Sequence, residues 1–400
     1  MHAATVPPER SNSYALLIYN SAESFGEVAV LLDFAAAIRS EYESVFLSLE
    51  PPNPRALPIE AEGHASLFLF EDEGVVNDAL VDRLFAFPPR FCVASDYSQF
   101  NVWRSVLPGV IAGEALMTGL RNAFGVRSAV SDLAGLSLEC SVPLAPLYDR
   151  VLVTASGYTK AGGDRALSDS RIRVIDTCRP PSERRIARRD RFSSKNKTVF
   201  ISYPRPRGWS GAGDGFAALW LRAVERSLAG LDAVNRVAFE EMAPLSSNAE
   251  AYTLLEDTAS VSEVNAWLAT TDAVITPNWC STLAARATTY GARTLVTFND
   301  AGTAGLRQDW LPLLSDAERE LVRTPAFHRW LPPTFASCWP GVEAGLTAMI
   351  RNVTAVPLFR SDEFEAVLVT TLNAAGGARA TSNGEPALRV ARELAVAAPE

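Results

Sequence analysis

The sequence predicts an α/β protein made of two doubly wound domains. Short β-branched and apolar runs alternate with apolar helical segments in both halves of the chain, as in proteins with parallel sheets. A stretch rich in Arg, Pro, Ser and Lys at 179–197 lacks hydrophobic periodicity and separates the two halves. The 400 residues are 48% hydrophobic and 21% charged, so each half can bury a sizeable core.

The first half begins with the apolar strand YALLIY at 14–19, followed by a loop at 20–26 and an alanine-rich helix at 27–39. Another helix is predicted at 75–85. The other predicted strands of this half are 45–49, 66–70, 90–94, 148–154 and 171–176. The pattern at 110–125 and 131–140 fits either a helix or a strand. Strands that alternate with helices in this way predict a mainly parallel sheet.

The second half resumes after the linker with a strand at 198–202 and a glycine-rich loop at 203–215. A weaker strand is predicted at 237–239. The predicted helices of this half are 216–229, 262–269, 306–323, 342–352 and 363–374. Beyond Gly376 the composition predicts a flexible segment, with an alternative of a last helix at 386–398.

One strand–helix–strand segment of the second half has the features of a ligand-binding site. Predicted strands at 273–276 and 293–298 flank a helix that Ser281 or Thr282 can cap and that Gly291 can end. Two strands joined by such a helix form a right-handed parallel unit. The beginning of the helix then lies at the carboxyl edge of the sheet, where open α/β sheets bind ligands. Its free N–H groups and its dipole predict a phosphate site.

Composition excludes several classes of function. The net charge of −9 and the pI near 5.1 argue against nucleic-acid binding. Five cysteines without a CxxC pair, together with three histidines, do not support a disulfide framework or a metal centre. The first residues lack an apolar leader and no run reaches the length of a membrane span, so we expect a cytoplasmic protein without membrane contact.

Two α/β domains joined by one linker resemble the GT-B architecture of nucleotide-sugar glycosyltransferases, in which two Rossmann-like domains face a cleft. The resemblance is clearest over 264–299, where strand, turn, Ser-Thr, helix, Gly and strand follow in an order similar to the family's donor-phosphate element. The resemblance implies an acceptor domain at 1–190, a nucleotide donor domain at 191–375 with a closing helix at 363–374, and a flexible tail or terminal helix at 376–400.

The resemblance also implies a function. A sugar would move from a nucleoside diphosphate donor to a small-molecule acceptor, without a metal or a tightly bound cofactor. A homodimer is compatible with this function. More weakly, Trp209 and the stretch at 329–352 are similar to uncharacterised members found beside natural-product pathways. Two alternatives stay open, namely an epimerase-type or other phosphate-ester enzyme on this fold, and a non-catalytic partner of a transferase.

The chain departs from the family pattern at three places. Asn278, Trp279 and Cys280 stand where the family commonly has glycine beside the diphosphate. Arg286 stands where it commonly has a glutamate that holds the donor ribose, and a guanidinium suits phosphate or carboxylate instead. The loop at 20–26 lacks the histidine that is frequently catalytic in the family.

Candidate site residues follow from these positions. Glu23, Glu27 and Asp96 lie in or just after loops at strand carboxyl ends and are candidates for a general base, or else solvated carboxylates and caps. The candidate acceptor-binding residues are Asn20, Ser21, Phe25 and Gly26. The candidate donor-binding residues are Trp209, Ser210, Gly211, Asn278, Trp279, Cys280, Ser281, Thr282 and Arg286. Their structural alternatives are a packed aromatic for Trp209, helix capping for Ser281 and Thr282, and an ion pair for Arg286.

Overall fold

The computed structural model describes these residues: 14–19, 25–49, 59–60, 62–72, 75–95, 108–132, 148–154, 170–176, 196–202, 213–231, 233–256, 259–277, 281–301, 306–331, 353–374 and 384–396. Within them the chain forms two compact units. The first unit consists of Met1–Arg179 and Ser382–Glu400, and the second of Pro180–Thr381. None of the helices in these ranges is long and apolar enough to cross a membrane.

The strands, in chain order, are β1 (Tyr14–Tyr19), β2 (Glu43–Ser48), β3 (Ala65–Phe68), β4 (Phe70–Asp72), β5 (Val75–Val76), β6 (Phe91–Ala94), β7 (Arg127–Asp132), β8 (Arg150–Thr154), β9 (Ile172–Asp176), β10 (Lys197–Ile201), β11 (Val234–Phe239), β12 (Tyr252–Leu255), β13 (Ala273–Thr276), β14 (Arg293–Phe298), β15 (Val353–Pro357) and β16 (Glu385–Pro386).

The helices, in chain order, are α1 (Phe25–Ile38), α2 (Asp78–Ala86), α3 (Pro108–Phe124), α4 (Gly213–Leu228), α5 (Val261–Leu268), α6 (Thr282–Thr289), α7 (Asp316–Leu321), α8 (Pro325–Trp330), α9 (Ser361–Ala374) and α10 (Ala387–Ala395). Short 3₁₀ turns lie at Glu240–Leu245, Ala249–Ala251 and Leu311–Leu313.

The first unit contains an eight-stranded sheet with the strand order β16-β9-β8-β7-β6-β1-β2-β3, as far as the described residues show. Every neighbouring pair in it is parallel. The chain winds outward from β1 to β3 and then returns to build outward from β6. The strand order therefore reverses between β1 and β6, which makes this position the switch point of the sheet.

The second unit contains a six-stranded parallel sheet with the order β12-β11-β10-β13-β14-β15. This is the order of a Rossmann domain, with its switch point between β10 and β13. Alternate side chains of the strands point to opposite faces, because the period of a strand is two residues. Val199 and Ile201 belong to the core under α4 and α9, whereas Phe200 belongs to the core under α5 and α6. The sheet is thus covered on both faces.

The sequence predictions differ from the structure in a few segments. Residues 75–85 do not form one helix, because the β-branched Val75 and Val76 pair with β4 as a short antiparallel strand. Helix α2 starts after them, where the Asn77 side chain accepts a hydrogen bond from the Leu80 N–H at 2.9 Å. The long helix predicted at 306–323 is also wrong, since only α7 and a 3₁₀ turn form there.

The predicted helix at 342–352 lies outside the described residues. The closing helix expected at 363–374 corresponds to α9, which packs against α4 and β15 within the second unit. The later segment formed by β16 and α10 belongs to the first unit and packs there. Arg392 of α10 forms an ion pair with Glu41, and Arg173 of β9 forms one with Glu393 at 3.6 Å.

Candidate functional site

The switch point of the second unit is formed by the carboxyl ends of β10 and β13. The N–H of Ser202 donates to the carbonyl of Ile275 at 3.0 Å, so the two strands are still paired where they end. The chain leaves β10 toward α4 and leaves β13 toward α6. The helices cover opposite faces of the sheet. In a parallel sheet the helix that follows a strand begins at the carboxyl edge, so both helices begin at this edge. Two helix N-termini favour negative charge at the same edge.

Helix α6 begins as the sequence predicts. Ser281 is the N-cap, with φ −63° and ψ 120°, and its hydroxyl oxygen accepts the N–H of Ala284 at 3.3 Å. Thr282 is the first residue of the helix. Gly291 lies after its end with φ of 90°, a conformation that favours glycine. The remaining N–H groups of the first turn have no partner within the helix and can receive an anion.

The segments between these strands and helices hold most of the predicted donor-binding residues. Those that lie outside the described residues are Trp209, Ser210, Gly211, Asn278, Trp279 and Cys280. The glycine-rich loop predicted to extend to residue 215 is shorter, because Gly213–Gly215 already form the first turn of α4.

Arg286 lies in α6 with only 8% of its surface exposed. Its Nη1 donates to Oδ1 of Asn265 at 3.4 Å, and Asn265 is 3% exposed in the neighbouring helix α5. The contact joins two neighbouring helices, and the Arg286 side chain is buried and not solvated. The sequence could not indicate the partner, because Asn265 belongs to another helix.

The carboxyl edge of the sheet also carries two polar residues that the sequence did not single out, Asn299 and Asp300 directly after β14. Oδ1 of Asp300 accepts the N–H of Phe359 at 2.8 Å, and its Oδ2 lies 3.6 Å from Nε of Arg360. Burial raises the pKa of the Asp300 carboxyl. Asn299 is fully buried and its amide donates to the carbonyl of Val322 at 3.0 Å.

Their position in the sequence was the signal that could have identified these two residues, since Asn299 and Asp300 directly follow the apolar strand at 293–298. A polar pair at that position can contact a ligand at the edge of an open sheet, or it can form hydrogen bonds with the neighbouring strand. The observed partners of Asp300 come from the segment after β15, so it joins the ends of two neighbouring strands.

The switch point of the first unit lies between β1 and β6. The N–H of Ser95 donates to the carbonyl of Ile18 at 2.8 Å, which pairs the two carboxyl ends. The segments 20–24 and 96–107 follow these ends along the chain. The predicted residues Asn20, Ser21, Glu23 and Asp96 belong to these segments and lie outside the described residues.

Helix α1 begins two residues earlier than the sequence predicts. Phe25 and Gly26 therefore form its first turn together with Glu27, instead of ending the preceding loop. For these three residues the structure describes the backbone only. Within the described part of the chain, no three His, Cys, Asp or Glu side chains are grouped so as to hold a metal ion.

No family model matches the sequence, and no curated protein matches it. Solved structures do match its fold. MurG of Acinetobacter baumannii is 11% identical, with a TM-score of 0.52 over 95% of this chain and 99% of that one. This chain has the GT-B fold.

Two further solved structures are similar with lower TM-scores. The UDP-GlcNAc 2-epimerase of Methanocaldococcus jannaschii is 9% identical over 95% of this chain and 99% of that chain, with a TM-score of 0.49. The calicheamicin glycosyltransferase CalG4 is 13% identical over 96% of this chain and 94% of that chain, with a TM-score of 0.45. At such identities the likeness concerns the fold alone.

Proposed function

We propose that this protein is a sugar-nucleotide enzyme of the GT-B type, and specifically a glycosyltransferase that moves a sugar from a nucleoside diphosphate donor to a small-molecule acceptor. The observation that carries the proposal is the switch point of the second unit. There β10 and β13 end side by side and two helices begin, in a chain with the GT-B fold. Fold alone does not define function, so the proposal depends on this site.

The proposed donor site is the edge where α4 and α6 begin. A diphosphate there would accept hydrogen bonds from the free N–H groups of the first helical turns and would be stabilised by both dipoles. The donor-binding residues in this proposal are Trp209, Ser210, Gly211, Asn278, Trp279, Cys280, Ser281 and Thr282. The indole of Trp209 would stack on the base or the sugar. The site as proposed contains no metal.

The proposed acceptor site is the switch point of the first unit. The supporting observation is that β1 and β6 are paired up to their carboxyl ends, from which the segments with Glu23 and Asp96 follow. One of these carboxylates would remove the proton of an acceptor hydroxyl or amine. The acceptor oxygen or nitrogen then forms the bond to the anomeric carbon, while the bond to the diphosphate oxygen breaks and the nucleoside diphosphate leaves.

Nucleotide binding is the first test. UDP, TDP, ADP and GDP should be added separately to the full chain, with inorganic phosphate and uridine as controls, and the melting temperature measured. A ligand at 100 times its Kd that binds only the folded state adds about 2.7 kcal/mol to the unfolding free energy. We expect at least one nucleoside diphosphate to raise the melting temperature at micromolar to millimolar concentration.

The variant Ser281→Ala removes the cap of α6 and costs about 1 kcal/mol of stability. We expect it also to weaken binding of the same nucleoside diphosphate, because the cap defines the position of the free N–H groups. Nucleotide concentrations of about 5–10 mM would detect even weak binding, with a Kd near 1 mM. If none of the four nucleotides shifts the melting temperature of the wild-type protein at these concentrations, the proposal is wrong.

Turnover is measured by release of the nucleoside diphosphate from its sugar conjugates in the presence of acceptor candidates, followed by mass spectrometry. A product heavier than the acceptor by one glycosyl residue supports transfer. A change of sugar configuration without any acceptor would instead identify an epimerase. Binding without turnover would favour the non-catalytic partner.

A further inference from the structure

Helices α5 and α6 lie next to each other on one face of the second sheet. Helix α5 precedes β13 along the chain and α6 follows it, and both run opposite to the strands, so they are parallel to each other. Beneath them lies an apolar cluster whose buried members are Phe200, Val237, Leu255, Ala259, Val264, Leu268, Val274, Ala287 and Ala292. Apolar packing of this kind stabilises the pair, and a buried polar contact adds a directional constraint to it.

A polar contact between described residues crosses this apolar interface. Nη1 of Arg286 donates to Oδ1 of Asn265 at 3.4 Å, and the two residues are 8% and 3% exposed. Each is the fifth residue of its own helix. Their contact therefore lies about 6 Å along the axis from the first residue of each helix.

The chemistry of the contact makes it directional. The N–H donors of a guanidinium point in fixed directions, so its burial requires hydrogen-bond acceptors at defined positions. The amide oxygen of Asn265 is such an acceptor, and a shift of one helix by a single residue, about 1.5 Å, would break the bond. The pair therefore adds a directional constraint on the register of α6 against α5, beyond that of the apolar cluster.

The register of α6 also decides where its beginning stands at the carboxyl edge. Ser281 and the first-turn N–H groups are one helical turn from Arg286, and a helix of eight residues moves as a rigid body. We infer that Arg286 is a positioning residue of the donor site: through Asn265 it holds the first turn of α6 at the switch point, rather than contacting the nucleotide itself. This inference rests on the function proposed above.

The test is a double-mutant cycle with two readouts. Wild type, Arg286→Ala, Asn265→Ala and the double variant are titrated calorimetrically with whichever of UDP, TDP, ADP and GDP binds wild type most tightly, and their melting temperatures are measured. We expect each single variant to weaken binding about two- to thirty-fold. We expect the double variant to bind as weakly as the single variants, because either substitution removes the same contact.

Conservative variants keep the inference testable if an alanine variant fails to fold. Asn265→Asp keeps an acceptor for the guanidinium and should retain affinity within about three-fold of wild type, whereas the apolar Asn265→Leu should lose it. The matched control is Thr288→Ala in the same helix. Thr288 is buried and its hydroxyl donates to the carbonyl of Ala284 at 3.0 Å, away from Asn265. This control should lower the melting temperature and leave the nucleotide affinity unchanged.

Each other outcome overturns the inference. If Arg286→Ala weakens binding and Asn265→Ala does not, the arginine contacts the nucleotide directly. If both variants lower only the melting temperature, the pair is structural alone. Wild-type protein that binds none of the four nucleotides would refute the proposed function and the inference with it, whereas binding with unchanged affinity in the variants refutes only the inference.

Discussion

Removing the hydroxyl of Tyr252 should reveal how the second unit holds a buried carboxylate. Glu225, 9% exposed near the end of α4, accepts the Tyr252 hydroxyl at 3.1 Å and the Ser247 hydroxyl at 2.8 Å. The Ser246 hydroxyl donates to the same carboxylate. These donors come from the segment before β12 and from its first residue, so the cluster ties β12 to α4.

The magnitude at neutral pH follows from the hydrogen bond. Tyr252→Phe keeps the ring and deletes the hydrogen bond to the charged Glu225, which is worth about 1.5–3 kcal/mol, together with the contact of the hydroxyl with Arg236. We therefore expect Tyr252→Phe to lower the unfolding free energy of the second unit by this amount at pH 8.

The pH dependence has a definite sign. Burial, and then the negative charge of Glu225, raise the pKa of Tyr252 above its ordinary value of 10.0. The tyrosine therefore contributes stability that is fully present below about pH 10 and is lost as the pH rises toward the folded-state value. At pH 11 the unfolded state gains about 1.4 kcal/mol by ionising while the folded state does not.

The assay is urea unfolding of wild type and Tyr252→Phe at pH 8 and pH 11, followed by far-UV circular dichroism and tryptophan fluorescence. All eight tryptophans except Trp103 belong to the second unit, so the fluorescence reports mainly on it. The cost of the substitution should be smaller at pH 11 by about 1.4 kcal/mol. An equal cost at both pH values would refute the assignment of a protonated Tyr252 held by Glu225.

Two further predictions concern backbone strain and chemistry. Gly291→Ala places a Cβ at φ of 90° and should lower the unfolding free energy measured in urea by about 1–2 kcal/mol. The control Gly215→Ala lies in a helix with open space around its Cβ and should not destabilise the protein. Equal effects of the two substitutions would contradict the role of the left-handed backbone conformation. If Asp96 or Glu23 is the base, Asp96→Asn or Glu23→Gln should lower turnover by roughly 10²–10⁴ with an unchanged melting temperature, and full activity in both variants would exclude them.

Local patterns in the sequence determined several elements of this protein to the residue. Strands β13 and β14 agree with the structure because each depends on a few adjacent residues. The cap of the helix between them is Ser281, one of the two residues that the sequence offers for this position. A buried strand needs a continuous apolar run, and a cap needs a short polar side chain before the first turn. The α/β class followed from the repetition of such patterns along the chain.

Pairing between distant segments was beyond these patterns. The sequence did not predict β12, whose residues are partly exposed at the edge of the sheet, and it assigned Val75–Val76 to a helix. Edge strands lack a two-sided apolar environment, so their composition does not distinguish them from turns. In these segments only the partner strand decides the conformation.

The tertiary structure alone decided which strand ends meet and what surrounds Arg286. Strand order places β10 beside β13 and β1 beside β6, and these adjacencies define the two switch points. The segments that contain most candidate residues follow these strands along the chain. Arg286 was identified from its place in a motif, but its burial against Asn265, 21 residues away, depends on how two helices pack on one face of the sheet. Packing of this kind results from shape and volume across the whole unit, which residue spacing does not encode.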